Sequence, residues 1–179
     1  ELQHLLSERR SSKQGTPDEL TSEKAQELAH DPLFYAMDML RRGEADGLVA
    51  GATRTTVDVL RAGLWLVGKA DGIQTVSSAM YMIIGGQVLT FADCAVVPNP
   101  TAEQLADIAI ATADARISIV GDTPRVALLS YSTKGSAEGP SVSIVRDALQ
   151  LVSLRRPQLI IDGELQADAA LVQGISERK

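Results

Sequence analysis

A run of hydroxyl side chains interrupted by one lysine and one glycine offers the clearest candidate chemistry in this sequence. It follows the apolar run 126–129, which predicts a buried strand, and precedes a helical pattern containing Val142 and Val145. Hydroxyl groups, backbone N–H groups and an ammonium can bind an anion at the ligand-facing ends of strands in an α/β sheet. The candidate anion-binding residues are Ser130, Ser132, Thr133, Lys134, Gly135 and Ser136.

The same run also fits an ordinary polar connection. In that interpretation the hydroxyls cap the following helix and Lys134 lies in solvent. Gly135 allows the backbone either to approach a ligand closely or to adopt a conformation that other residues resist. The spacing alone leaves both interpretations open.

A second group of polar residues lies at a predicted helix start. The small and apolar residues 48–52 predict a short buried strand, and Thr55 or Thr56 is expected to cap the helix that follows. Arg61 would lie about one turn into that helix. Hydroxyls and arginines at a helix start suit an anion, whereas a solvated surface arginine is the alternative interpretation of Arg61.

Composition narrows the class of protein. The chain has 179 residues, 45% of them hydrophobic, and a formal net charge of −6, which predicts a globular protein of one domain or part of two. The negative charge argues against a nucleic-acid or membrane binder, although a small anion needs only local positive charge. No signal peptide or membrane-length apolar run is found, and the single cysteine, Cys94, excludes an internal disulfide. We therefore expect a cytoplasmic location.

Two histidines and one cysteine do not make a convincing metal site, so no metal is expected. Predicted helices and strands alternate along the chain, which indicates an α/β fold with a largely parallel sheet, flanking helices and one antiparallel hairpin. The hairpin is expected from Gly72–Ile84 and Val88–Asp93. We place the boundary between two α/β domains near residue 70, giving domains 1–70 and 71–179.

Capping patterns and breaker residues predict further element ends. Thr16 and Thr21 are rival starts for one helix, and Asp31-Pro32 predicts a break in it. Thr101 and Gln104 form a capping-box pattern for another helix. A later strand is expected at 158–161, with residues 162–166 following its end.

Four segments together resemble one family, the phosphotransacetylases (phosphate acetyl/butyryltransferases). They are Asp46–Arg61, Phe91–Leu105, Arg125–Ala137 and Ile161–Ala169, in the family's order. The resemblance implies a fold like that of the isocitrate/isopropylmalate dehydrogenases, with two α/β domains around a cleft, in a homodimer. It also implies a reaction that interconverts acetyl-CoA and phosphate with acetyl phosphate and CoA. Coenzyme A is then a substrate, and no cofactor is expected.

The resemblance also assigns two arginines to catalysis. Arg61 matches an active-site arginine in the family's Leu-Arg-Pro segment, and Arg10 matches one in a Glu-x-Arg segment. Guanidinium groups can hold phosphate with two hydrogen bonds or stabilise a developing oxyanion. The sequence departs from the family pattern at Ala50, where serine is common, at Arg54, where histidine is common, and at Ala62, where proline is common.

Other family segments do not occur in this sequence. They include the family's first strands, a Phe-Pro-Asp-Leu-Asn-x-Gly-Asn segment and the aspartate assigned as the base for the CoA thiol. The resemblance therefore implies that the 179 residues alone are weakly active or inactive. Two other functions stay open, a non-catalytic acyl-CoA-sensing domain like that appended to some malic enzymes and a mainly structural dimerisation fragment.

Overall fold

Capped helices build the first of two units into which the chain divides, Glu1–Ala70. The computed structural model describes residues 4–5 and 21–176. In the described part of this unit, helix α1 spans Ser22–Ala29, α2 spans Pro32–Arg41 and α3 spans Thr56–Leu66.

Local side-chain caps decide where these helices begin. Thr21 caps α1 by accepting the N–H of Lys24 at 3.1 Å, which confirms it as a helix start, whereas Thr16 lies outside the described residues. Asp31 caps α2, with Pro32 in the first turn, so the predicted break is confirmed. Thr55 caps α3, as one of the two threonines was expected to do.

Apolar side chains from α1, α2 and α3 form the core of the first unit. The buried members are Ala25, Leu33, Phe34, Met37, Ala62 and Leu66. The rings of Phe34 and Trp65 meet edge to face at a centroid distance of 6.0 Å, which is a favourable geometry for aromatic pairs.

The predicted strand at residues 48–52 is wrong. These residues adopt no regular secondary structure, and Val49 is fully exposed. A strand needs a neighbour to bond its N–H and C=O groups, and the described residues of this unit supply no strand for it to pair with. Helices are therefore the regular secondary structure found in the described part of residues 1–70.

The second unit, Asp71–Lys179, mixes helices and strands. Its strands are β1 (Ala79–Ile84), β2 (Gln87–Ala92), β3 (Arg125–Leu129) and β4 (Ile160–Leu165). Its helices are α4 (Ala102–Val120), α5 (Pro140–Arg155), α6 (Ala167–Leu171) and α7 (Gln173–Ser176). The capping box of Thr101 with Gln104 at the start of α4 is confirmed.

Among the described residues the strands form two separate two-stranded sheets. Strands β1 and β2 make the predicted antiparallel hairpin, with Ala79 opposite Ala92, and β3 and β4 pair in parallel, with Arg125 opposite Ile160. The fold is thus mixed α/β, as expected, but these small sheets do not form the largely parallel sheet that we predicted. Periodicity identifies strands and does not reveal how many share one sheet.

Strand β1 begins seven residues later than predicted because carboxylates bind the backbone before it. The N–H groups of Gln74 and Thr75 each donate to Asp107 at 2.8 Å. The N–H of Ser78 donates to Asp93 at 2.6 Å. These N–H groups are therefore unavailable to a strand ladder.

Helices α4 and α5 pack with β3 to form the core of the second unit. Its buried members are Ala106, Ala109, Ile110, Leu128, Val145, Ala148 and Val152. Strand β4 extends to Leu165, beyond the predicted end at residue 161. The pairing is irregular between Ala127 and Leu129, and this irregularity precedes the candidate loop.

Candidate functional site

The predicted anion-binding loop, residues 130–136, leaves the carboxyl end of β3. Leu129 pairs with Leu165, and the N–H of Ser130 donates to the Leu165 carbonyl at 2.8 Å. The loop thus starts beside the end of the parallel neighbour β4, which is where sheet geometry places ligand-facing loops in α/β proteins.

Two hydroxyls of the loop point into the protein. Ser132 is fully buried, and its Oγ donates to Glu164 Oε1 at 3.0 Å and accepts the N–H of Ala137 at 3.0 Å. Thr133 is also buried, and its Oγ1 accepts the N–H of Gln166 at 2.9 Å. These two side chains hold the loop against β4, and any ligand would meet other groups of the loop first.

Lys134, Gly135 and Ser136 form the exposed turn of the loop. Lys134 has φ +47° and Gly135 has φ +88°, a left-handed backbone that Gly135 adopts without steric cost. Lys134 Nζ pairs with Asp162 and lies 3.2 Å from the Gly163 carbonyl oxygen. Its side chain is 46% exposed, so the ammonium reaches solvent.

The alternative prediction, that the hydroxyls cap the next helix, is wrong. The N-cap of α5 is Gly139, and no side chain there accepts a backbone N–H. The Ser136 hydroxyl instead accepts the N–H of Thr133 at 2.9 Å, within the loop itself. Lys134 is bonded rather than free in solvent.

Sequence reasoning missed the two charged residues behind this loop. Glu164 is 3% exposed, and Arg146 donates to both of its oxygens at 3.0 Å through Nε and Nη2. Hydrogen bonds from Arg146 hold the pKa of Glu164 well below its usual range, against the opposing effect of burial. The Glu164 hydrogen bonds in turn raise the pKa of Arg146.

One sequence signal draws attention to Arg146, although it does not identify the partner of this residue. Arg146 lies four residues after Val142 and one after Val145, both on the buried stripe of α5. A charged side chain that becomes buried at such a position is stable when it is paired with an opposite charge. Glu164, three residues after the apolar pair 160–161, supplies that charge.

Burial acts to raise the pKa of Asp162, but the hydrogen bonds from Lys134 and the Gly163 N–H outweigh it and lower that pKa. The carboxylate is therefore ionised at neutral pH beside the ammonium. Both side chains are about half exposed, and solvent makes such a pair weak. An anion arriving from solution would compete with Asp162 for Lys134.

The second candidate group lies in the first unit, at the start of α3. The Thr55 hydroxyl donates to Asp58 Oδ2 at 2.7 Å, so it serves the helix cap, and Thr56 is exposed in the first turn. Hydrogen bonds from Thr55 lower the pKa of Asp58. The guanidinium of Arg61 lies 3.6 Å from Asp58 and 6.0 Å from the Trp65 ring centroid.

Arg61 is 39% exposed, so solvent reaches its guanidinium. Arg54, where the family pattern has histidine, donates to Asp31 at 2.5 Å and thereby ties residue 54 to the start of α2. Arg10 lies outside the described residues. The assignments of all these residues to catalysis or phosphate binding stay predictions.

Within residues 4–5 and 21–176, no three His, Cys, Asp or Glu side chains come together as metal ligands would. No helix in that same part of the chain has both the length and the apolar character needed to cross a membrane.

Solved structures with the same fold define the class of protein. The chain matches the EutD phosphotransacetylase of Staphylococcus aureus with a TM-score of 0.81 and 37% identity, covering 98% of this chain and 53% of that one. It matches a phosphotransacetylase of Streptococcus pyogenes with a TM-score of 0.86 and 35% identity, covering 98% and 52%. The fold is therefore that of phosphotransacetylases.

Sequence comparison gives the family. The family described as "Phosphate acetyl/butaryl transferase" matches residues 7–179. The chain is 45% identical over 166 residues to the phosphate acetyltransferase of Clostridium acetobutylicum, covering 89% of this chain and 50% of that protein. It is 48% identical over 165 residues to that of Treponema pallidum, covering 87% and 49%. The chain belongs to this family and spans about half the length of these two relatives.

Proposed function

We propose that this chain is part of a phosphate acetyltransferase that interconverts acetyl-CoA and phosphate with acetyl phosphate and CoA. The observation that carries the proposal is the family match over residues 7–179, together with 45–48% identity to phosphate acetyltransferases. The reaction needs groups that bind a phosphate and stabilise negative charge on the acyl carbonyl oxygen. Arg61 and Lys134 are cations with the exposure to do so.

In the proposed reaction, the thiolate of CoA attacks the carbonyl carbon of acetyl phosphate. The carbon–sulfur bond forms, the bond from that carbon to the phosphate oxygen breaks, and phosphate leaves. We assign Arg61 to the developing negative charge, because its guanidinium is 39% exposed and its ion pair with Asp58 is long, at 3.6 Å. Arg10 is assigned to the same role from the family pattern. CoA takes part as a substrate, and the proposal includes no separate cofactor.

The exposed part of the 130–136 loop is assigned to the phosphate group. Its ammonium on Lys134 can form a charge-assisted hydrogen bond with a phosphate oxygen, and its partner Asp162 is exposed and replaceable. Ser136 is exposed, and Ser130 is half-buried. Ser132, Thr133 and Gly135 would act by holding the loop in place. We also propose that the protein forms a homodimer, as the family resemblance implies.

The test is an assay of acetyl-CoA formation from acetyl phosphate and CoA, on the natural full-length protein that contains this sequence. Formation of acetyl-CoA with release of phosphate, saturable in both substrates, is the expected result. Butyryl phosphate assayed beside acetyl phosphate gives the acyl preference. Tight binding of acetyl-CoA without any phosphate-dependent turnover would overturn the proposal in favour of an acyl-CoA-sensing domain.

A further inference from the structure

A buried carboxylate organises the candidate phosphate loop from behind. Glu164 Oε1 accepts the Ser132 hydroxyl at 3.0 Å, the Gly135 N–H at 2.8 Å and Arg146 Nη2 at 3.0 Å, while Oε2 accepts Arg146 Nε at 3.0 Å. We call these four residues, Ser132, Gly135, Arg146 and Glu164, the Glu164 cluster. Donors at these distances satisfy the carboxylate, and a buried charge is stable only when it is bonded in this way.

Glu164 binds the backbone of the loop at two successive residues of its turn, Lys134 and Gly135. The side chain of Glu164 binds the N–H of Gly135, and its main-chain carbonyl accepts the N–H of Lys134 at 3.2 Å. Lys134 has a positive φ of +47°, which a residue with a side chain adopts only when its surroundings impose it. Glu164 of β4 therefore accepts two successive N–H groups of the loop. These two bonds stabilise the left-handed turn between β3 and α5.

This turn determines where the Lys134 ammonium lies. The side chain leaves the turn toward the end of β4, where Nζ pairs with Asp162 and lies 3.2 Å from the Gly163 carbonyl oxygen. Loss of the Glu164 side chain would leave the Gly135 amide without its acceptor and would weaken the turn, which the N–H of Ser136 also closes by donating to the Thr133 carbonyl at 3.1 Å. The lysine would then sample many positions, and an anion would lose a preformed partner.

Arg146 offsets the negative charge that the Glu164 carboxylate places behind the anion-binding loop. An uncompensated negative charge near Lys134 would repel phosphate. Arg146 bonds both oxygens of Glu164, so the carboxylate supplies geometry while its charge is neutralised. Arg146 also pairs with Glu138 at 3.0 Å, but Glu138 is 73% exposed and makes no bond to residues 132–136 in the described structure.

We propose that Glu164 and Arg146 are positioning residues for phosphate, which act by fixing the loop that presents Lys134. The inference deepens the proposed function and rests on it. Neither residue needs to touch the substrate, so neither is catalytic. Their removal should weaken recognition of phosphate and acetyl phosphate more than recognition of CoA.

The test compares Glu164→Gln, Arg146→Gln and the double variant in the natural full-length protein, with Glu138→Gln as the matched control. Glu138→Gln removes a carboxylate from the same arginine but leaves Glu164 in place. For Glu164→Gln we expect the KM for acetyl phosphate to rise about tenfold, the effect of one lost or misplaced interaction of about 1.4 kcal/mol. In Glu164→Gln, the KM for CoA should change by less than about twofold. In the control Glu138→Gln, the KM for acetyl phosphate and the KM for CoA should each change by less than about twofold.

The same variants distinguish the effect of the Glu164 charge from the effect of the loop conformation. Arg146→Gln leaves a buried carboxylate uncompensated, so it should raise the KM for acetyl phosphate more than Glu164→Gln does. The double variant should then bind acetyl phosphate better than Arg146→Gln alone, because the repelling charge is gone. Equal or additive losses in the double variant would overturn the charge-neutralising role of Arg146.

A Glu164 cluster that stabilises the fold without positioning Lys134 gives a different result. Lower melting temperatures with an unchanged KM for acetyl phosphate, or equal rises in both KM values, would overturn the inference.

If the wild type shows no turnover, the proposed function fails, and inorganic phosphate then becomes the probe. Phosphate-dependent hydrogen-exchange protection of the Lys134 and Gly135 amides, lost in Glu164→Gln, would still support positioning. Absence of that protection in the wild type would overturn it.

Discussion

Arg155 Nη2 lies 2.7 Å from Asp107 Oδ1, and this ion pair ties the end of α5 to the first half of α4. The other oxygen of Asp107 accepts the N–H groups of Gln74 and Thr75, each at 2.8 Å. Burial acts to raise the pKa of Asp107, but the bonds from Arg155 and these N–H groups lower it overall. One buried carboxylate thus joins two helices and the segment before β1.

We expect Asp107→Asn to lower the free energy of unfolding by about 1–3 kcal/mol, because buried donors lose an acceptor. The measurement is urea unfolding followed by circular dichroism. Asp147→Asn is the control, since Asp147 is exposed on α5. Equal losses in the two variants would contradict a special role for Asp107.

Arg61→Ala should reduce kcat by about 10²–10³-fold if its guanidinium stabilises developing negative charge. Its 39% exposure and the long ion pair with Asp58 predict little effect on folding. Arg61→Lys should recover only part of the activity, because an ammonium lacks the planar pair of donors. Steady-state kinetics at matched melting temperature is the measurement, with exposed Arg125→Ala as the control. Wild-type kinetics for Arg61→Ala would remove this residue from the site.

Ser132 and Lys134 lie in one loop but should respond differently to alanine. Ser132 is fully buried, so Ser132→Ala should lower stability by about 1–3 kcal/mol by leaving neighbouring polar groups unsatisfied. Lys134 is 46% exposed, so Lys134→Ala should leave the melting temperature nearly unchanged while raising the KM for acetyl phosphate. Thermal melts and kinetics on both variants separate the effects. A Lys134→Ala variant with a normal KM would exclude the ammonium from phosphate binding.

Gly163 has no room for a side chain. A Cβ at this position would lie 2.8 Å from Leu128 Cβ and 3.2 Å from the Leu128 carbonyl oxygen. Gly163→Ala should therefore destabilise the second unit by about 1–3 kcal/mol, the usual cost of overpacking. Gly47→Ala is the control, because nothing lies within 4 Å of its Cβ position. Unfolding of both variants in urea decides the matter, and an unchanged midpoint for Gly163→Ala would disprove the close contact.

Asp93 should make stability depend on pH in the acid range. Burial acts to raise its pKa, but the N–H groups of Val97, Ser78 and Val96 and the Ser78 hydroxyl outweigh this and lower the pKa from 3.8 to about 2. Because the folded pKa is the lower one, the stabilisation is present above pH 3.8 and is lost as the pH falls toward 2.

Asp93→Asn removes this titration. Compared with the wild type, it should be less stable at pH 7 by about 2 kcal/mol, and the difference should shrink as the pH falls to 2. Urea midpoints at several pH values provide the measurement, with exposed Asp71→Asn as the control. A stability difference that stays constant down to pH 2 would show that Asp93 does not titrate in this way.

The sequence by itself determined the break before α2, the start of α4 and the family. A cap joins residues three or fewer positions apart, so Thr101 with Gln104 could be identified without any tertiary contact, and the cap of α3 could be narrowed to Thr55 or Thr56. Asp31-Pro32 ended one helix and began another for the same local reason. The four motif segments pointed to the phosphotransacetylases, and the comparisons show that family.

Only the tertiary structure decided the strand limits and the surroundings of the loop. Asp107 meets residues 74–75, more than 30 positions away, and shortens β1 by taking its N–H groups. Glu164 lies 32 residues from Ser132 and 18 from Arg146. Periodicity reports which side of an element is apolar, but it does not report which polar groups on separate elements come together. That pairing depends on how β3, β4 and α5 pack.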